Sequence, residues 1–86
     1  MMPEPANHTA WIDPAGDTWI RVDDTPHGPY CNWWPLTDGP GWHAGNRDGL
    51  GTPRPWYEAR RCGPFTLADR ARTALALARV RQEAGR

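Results

Sequence analysis

Aromatic and β-branched residues come in short runs separated by Pro, Gly and Asp in the first part of the chain. Thr9-Ala10-Trp11-Ile12 and Thr18-Trp19-Ile20-Arg21-Val22 flank Asp13-Pro14-Ala15-Gly16-Asp17. Such residues suit a pleated strand, and Pro and Gly turn the chain, so the segment predicts a β-hairpin. Asp23-Asp24-Thr25-Pro26-His27-Gly28-Pro29 breaks the pattern. Tyr30-Cys31-Asn32-Trp33-Trp34 then suits a third strand, closed by Pro35. Strands are expected within 9–34, after a loose polar arm over 1–8 that carries Pro3 and Pro5. From 36 to 55 glycine and proline predict a long loop, a feature that compact domains keep for function.

The last segment changes period. Thr66 precedes Asp69 by three residues and follows Phe65, which predicts a capped and stapled helix over 66–84. On a helical wheel Leu67, Ala71, Ala74, Leu75 and Ala78 share one narrow face, bordered by Arg70 and Arg81 on one side and by Arg72 and Arg79 on the other. This small-residue face is expected to lie against the sheet, so a carboxylate placed at Ala74 should be buried. Leu77 and Val80 fall off it. The fold class is therefore α+β: a small antiparallel sheet of two to three strands with one C-terminal α-helix packed on it, all in a single domain over 9–86.

Composition sharpens the core. At 86 residues a hydrophobic core is only just sufficient, and the mean hydropathy of −0.79 leaves little aliphatic material. Six tryptophans compensate, each able to bury roughly 150–250 Å². An indole cluster should form much of the interior, with Trp42 and Trp56 as candidate anchors of the long loop.

The net charge is zero but unevenly spread. Residues 1–53 carry two arginines against seven carboxylates, and residues 54–86 carry eight arginines against three. The two halves are expected to pack together and neutralise each other. There is no Lys, and the abundance of Arg, Ala, Gly and Pro reads as a high-GC coding bias of the kind found in actinobacteria and their viruses. No apolar run reaches the ~20 residues of a membrane span, and no secretory leader is recognisable at Met1–Ala10. A cytoplasmic location with no membrane contact is the resulting expectation.

Candidate chemistry is sparse. His27, Cys31, His43 and Cys62 form the only plausible metal set, and they lack the paired C-x2-C or H-x3-H spacing of zinc sites. Two reduced cysteines are the expected state, rather than zinc or a disulfide. The aspartates at 13, 17, 23, 24 and 48 suggest calcium, but Asn46-Arg47-Asp48-Gly49 lacks the preceding Asp and closing Glu of a calcium loop. Acidic residues beside hairpin turns are the better reading. There is no Ser, nothing marks Cys62 or His43 as activated, and no phosphate-binding glycine pattern precedes a helix. The chain reads as a non-enzyme with no metal and no cofactor.

Function then rests on surfaces. A domain this small cannot bury six indoles, and a glycine-rich loop is where an exposed aromatic is best tolerated. A protein-binding surface is expected at Trp42, Trp56 and Tyr57, with Arg54, Arg60 and Arg61 as its polar rim, since Trp, Tyr and Arg most often carry binding energy. The expected role is a small accessory or regulatory protein with an unidentified protein partner. The rival reading is nucleic-acid binding, in which Arg70, Arg72, Arg79 and Arg81 follow phosphates while an aromatic stacks on a base.

Two resemblances bear on this. Trp11 to Asp24, with its Gly16-Asp17-Thr18-Trp19 turn, resembles a hairpin found in small proteins of actinobacteria and actinobacteriophages. That resemblance implies an accessory protein, phage-encoded and acting on a host protein. Trp34-Pro35 followed by Pro40-Gly41-Trp42, with Thr52-Pro53-Arg54-Pro55 further on, is similar to the signature of MbtH-like partners of adenylation domains. It departs from that family in lacking the Asn-x-Glu lead-in and the helix before the Arg-Pro segment. If the similarity holds, Trp34 and Trp42 form a slot for a partner side chain.

Overall fold

The computed structural model describes residues 3–36 and 50–84. Among the described residues four strands, β1 (Ala10–Ile12), β2 (Thr18–Arg21), β3 (Trp33–Leu36) and β4 (Thr66–Leu67), form an antiparallel sheet in the order β3-β2-β1-β4. A short helix, α1 (Trp56–Ala59), runs into a 3-10 turn over Arg60–Cys62. A long helix, α2 (Arg70–Ala84), ends the described chain. The class is α+β, as the sequence predicts, with one strand more.

That strand replaces the expected start of the helix. Thr66 and Leu67 pair with Ile12 and Trp11. The helix is capped instead by Asp69, whose carboxylate accepts the Arg72 amide at 2.8 Å and whose carbonyl accepts the Thr73 amide at 3.0 Å. Asp and Thr are both good caps. Asp69 takes the role because the chain between Thr66 and Ala68 supplies hydrogen bonds to β1, including Ala68 N–H to Ala10 C=O at 3.0 Å.

The β1–β2 hairpin forms where expected, organised by Asp13. Gly16 N–H reaches the Asp13 carbonyl at 2.9 Å, and Gly16 takes φ +91°, a conformation that favours glycine. One carboxylate oxygen of Asp13 accepts the Ala15 and Asp17 amides, each at 3.0 Å; the other accepts the Trp19 indole N–H at 3.0 Å. The aspartate that suggested calcium therefore serves a turn and an indole.

Alternation along the strands separates two cores. Ala10, Ile20, Val22, Trp34 and Leu36 lie on one face with Ala76 and Val80 of α2. Trp19 and Trp33 lie on the other with Ala59, and Trp11, Trp56 and Phe65 pack around them. The third strand is shifted towards Leu36 and includes Pro35. In the antiparallel ladder Pro35 directs its backbone polar groups away from β2, so its missing N–H removes no bond to that strand. Its carbonyl accepts Gly51 N–H at 2.8 Å, and Trp33 exchanges two bonds with Arg54. Gly51 fits closely here: a Cβ would stand 2.8 Å from Pro35 Cγ.

Two expectations are corrected. The helix is turned about half a revolution from the expected face: Ala71, Ala74, Leu75 and Ala78 are exposed, while Ala76, Arg79 and Val80 are buried, with Thr73 and Leu77 half-buried. Val80 and Leu77 offer more apolar area than alanine, and this outweighs the tidiness of the alanine stripe. Residues 3–8, expected as a loose arm, are tied to the sheet. Glu4 accepts the Trp33 indole N–H at 2.9 Å, His8 N–H donates to the Arg21 carbonyl at 2.8 Å, and Asn7 Oδ1 accepts the Asp23 amide at 3.0 Å.

The same corner holds a fork of Arg21 on Asp23, both bonds at 3.0 Å, with Asn32 donating to Asp23 at 2.7 Å. The hydrogen bond from Arg21 holds the Asp23 carboxyl below its usual range. A carboxyl depressed in the folded state stabilises the fold above its unfolded value of about 3.9. That contribution is lost as pH falls through the lower folded value. Stability between neutral and acid pH should therefore fall less steeply for Asp23→Asn than for the parent. Denaturant midpoints measured across that range test this, and parallel slopes would refute it.

Candidate protein-binding site

Two tyrosines stay outside both cores. Tyr30, in the loop before β3, is 63% exposed, and Tyr57, on the first turn of α1, is 49% exposed. Their ring centroids are 6.1 Å apart. The hydrogen bond with Tyr57 pushes the Tyr30 phenol up to about 12. The pair exists because Trp33 pairs with Arg54 across the β3 edge, which brings the 54–59 segment beside the end of the 23–31 loop.

An open cleft of about 480 Å³ is lined by Trp19, Pro35, Arg54, Glu58, Arg61 and Cys62. Trp19 and Pro35 are register partners across β2 and β3 and belong to the indole face. Arg54 and Glu58 stand one helical turn apart at 3.9 Å. Burial, with the Asp13 carboxylate, pushes the Cys62 thiol up.

Of the residues expected at the binding surface, Tyr57, Arg54, Arg60 and Arg61 are exposed. Trp56 is half-buried and serves packing, with its ring 5.1 Å from Trp33 and 6.2 Å from Phe65. Trp42 lies outside the described residues, as do His43 and the Asn46–Gly49 stretch. Tyr30 escaped the sequence reading because its partner is 27 positions away; only the preceding Gly28-Pro29 turn marks it as a loop residue.

The arginines of α2 do not form one track. Arg70 and Arg81 are exposed, Arg72 is half-buried, and Arg79 is 4% exposed. Arg81 reaches Asp24 at 3.6 Å, a contact between the basic and acidic halves. Among the described residues no group of three or more His, Cys, Asp or Glu side chains is arranged to hold a metal ion. Cys31 and Cys62 are free thiols.

Trp34, which an MbtH-like slot would need, is 4% exposed and lies beneath His27, with ring centroids 5.3 Å apart. No protein-family model, characterised protein or solved structure matches the chain significantly. No helix among the described residues is long and apolar enough to cross a membrane.

Proposed function

We propose that the chain is a small, non-enzymatic accessory or regulatory protein that binds a protein partner through Tyr30 and Tyr57, with Arg54, Arg60 and Arg61 as the polar rim. The observation that carries this reading is the exposure of the tyrosine pair, 63% and 49%, in a domain short of aliphatic core. The indoles Trp19 and Trp33 are spent on packing, while two aromatic rings remain at the surface beside arginines. Tyr and Arg are the residues that most often dominate binding energy.

Free cysteines fit a reducing compartment, and the proposed place of action is the cytoplasm. Nucleic-acid binding is less well supported. A phosphate track needs several accessible cations in line, and Arg79 is buried while Arg81 is engaged by Asp24.

Capture by the tagged chain from a native lysate, with and without nuclease, tests this reading. One defined protein should remain at near-stoichiometric level after nuclease treatment. Capture that disappears with nuclease and falls steeply with salt would favour the nucleic-acid reading instead.

A further inference from the structure

Residues 3–8 form a strap held by hydrogen bonds and ion pairs, and none of them belongs to either apolar cluster. Pro3, Glu4, Ala6 and Asn7 are exposed. The side chains of Glu4, Asn7 and His8 converge on the base of the 23–31 loop. Where the loop leaves the sheet, Asn7 Oδ1 accepts the Asp23 amide at 3.0 Å, and His8 Nε2 meets Asp24 at 2.9 Å. Where it returns, Glu4 Oε2 accepts the Trp33 indole N–H at 2.9 Å and the Asn32 side-chain amide at 3.5 Å. The two ends are joined by Asn32 donating to Asp23 at 2.7 Å and by Val22 N–H on the Asn32 carbonyl at 2.8 Å. The loop closed in this way carries Tyr30, two residues before Asn32.

Loss of the strap's bonds would not stay local. Trp33 is 1% exposed and Asn32 2%. Buried donors that lose an acceptor must find another or move to water. The Asn32 side-chain oxygen is itself buried without a hydrogen-bond partner, so its amide is fixed by donation to Glu4 and Asp23. Away from its base the loop is attached by the His27 ring edge-on to Trp34 and by Tyr30 against Tyr57. The strap's own contacts are polar and lie at the surface, so they open at lower cost than the apolar clusters beneath them.

We propose that the 3–8 strap is a releasable clamp on the loop that carries Tyr30. Engaged, it holds Tyr30 against Tyr57; released, it lets the pair part while both apolar clusters stay folded. Glu4 and Asn7 are its positioning residues. This gives the tyrosine surface proposed above a control element and rests on that reading.

Glu4→Ala, Asn7→Ala and Glu4→Gln in the full chain test the clamp without a partner. In Glu4→Ala the ring-to-ring nuclear Overhauser effect between Tyr30 and Tyr57 should disappear. The Val22 amide should exchange with solvent about tenfold faster, and the Tyr30 phenol should titrate close to the ordinary tyrosine value of about 10. The melting temperature should stay within a few degrees of the parent. Asn7→Ala, at the other end of the loop base, should act in the same direction. Glu4→Gln keeps an acceptor oxygen beside the Trp33 indole and should restore the parent behaviour. A Tyr30–Tyr57 contact retained in either alanine variant overturns the proposal, as does a Glu4→Gln variant that behaves like Glu4→Ala. Global unfolding of the alanine variants also overturns it, since the strap would then be part of the folding core. If the tyrosine contact follows the strap while no lysate protein is captured, the coupling stands and the binding reading falls. If capture needs both tyrosines while their contact ignores the strap, the clamp alone falls.

Discussion

Ala76→Asp is expected to lower the melting temperature by about 15–30 °C, while Ala74→Asp on the opposite side of α2 should shift it by only a few degrees. Ala76 is fully buried in the cluster that joins the helix to Ala10, Ile20, Val22 and Leu36. A carboxylate there is taken out of solvent into an apolar cluster, and a poorly compensated buried charge costs roughly 3–5 kcal/mol. A chain of 86 residues has about 4–13 kcal/mol of folding free energy in all, at the usual density per residue. Ala74 faces solvent, so its substitution costs only helix propensity, about 0.5–1 kcal/mol. Thermal unfolding of the two variants side by side decides the matter. Comparable losses at both positions would mean that the alanine face is also covered in solution.

Trp33→Ala should be the most damaging truncation on the other sheet face, at roughly 3–5 kcal/mol. Trp33 is 1% exposed, its ring stacks on Trp56, and its indole N–H is held by Glu4 at 2.9 Å. Removing it opens a cavity and frees both the α1 anchor and the N-terminal segment. Trp56→Ala removes a half-buried ring from the edge of the same stack and should cost about half as much. Urea midpoints for the two variants measure the difference, and a Trp56→Ala loss equal to or above that of Trp33→Ala would show that α1 is the true centre of this core.

Much of the framework was legible in the residues. The hairpin followed from aromatic and β-branched flanks around Asp13-Pro14-Ala15-Gly16-Asp17, because turn chemistry and strand alternation pointed the same way there. The existence of a C-terminal helix followed from its Ala and Leu content. Its orientation did not. Apolar residues lie on both sides of that helix, and an alanine contributes so little area that a stripe of them is a poor guide to burial; Val80 and Leu77 decided the packing. The strand at Thr66 and Leu67 was hidden because two residues cannot show an alternation, and Thr66 also satisfied the rules for a cap. The surface was legible as a composition, Tyr57 with arginines, but not as a constellation. Tyr30 joins it only through the pairing of Trp33 with Arg54, and Trp56 leaves it because the indole stack claims that ring.

The central claim is that Tyr30 and Tyr57 are kept for binding and contribute little to folding. It is tested most directly by the Tyr30→Ala, Tyr57→Ala double variant, measured for partner affinity and for melting temperature on the same preparation. The expected result is a loss of affinity of at least about thirtyfold, as for a hot spot worth ~2 kcal/mol, with a melting temperature within a few degrees of the parent. Unchanged affinity, or a collapse in stability like that expected for Trp33→Ala, would contradict it.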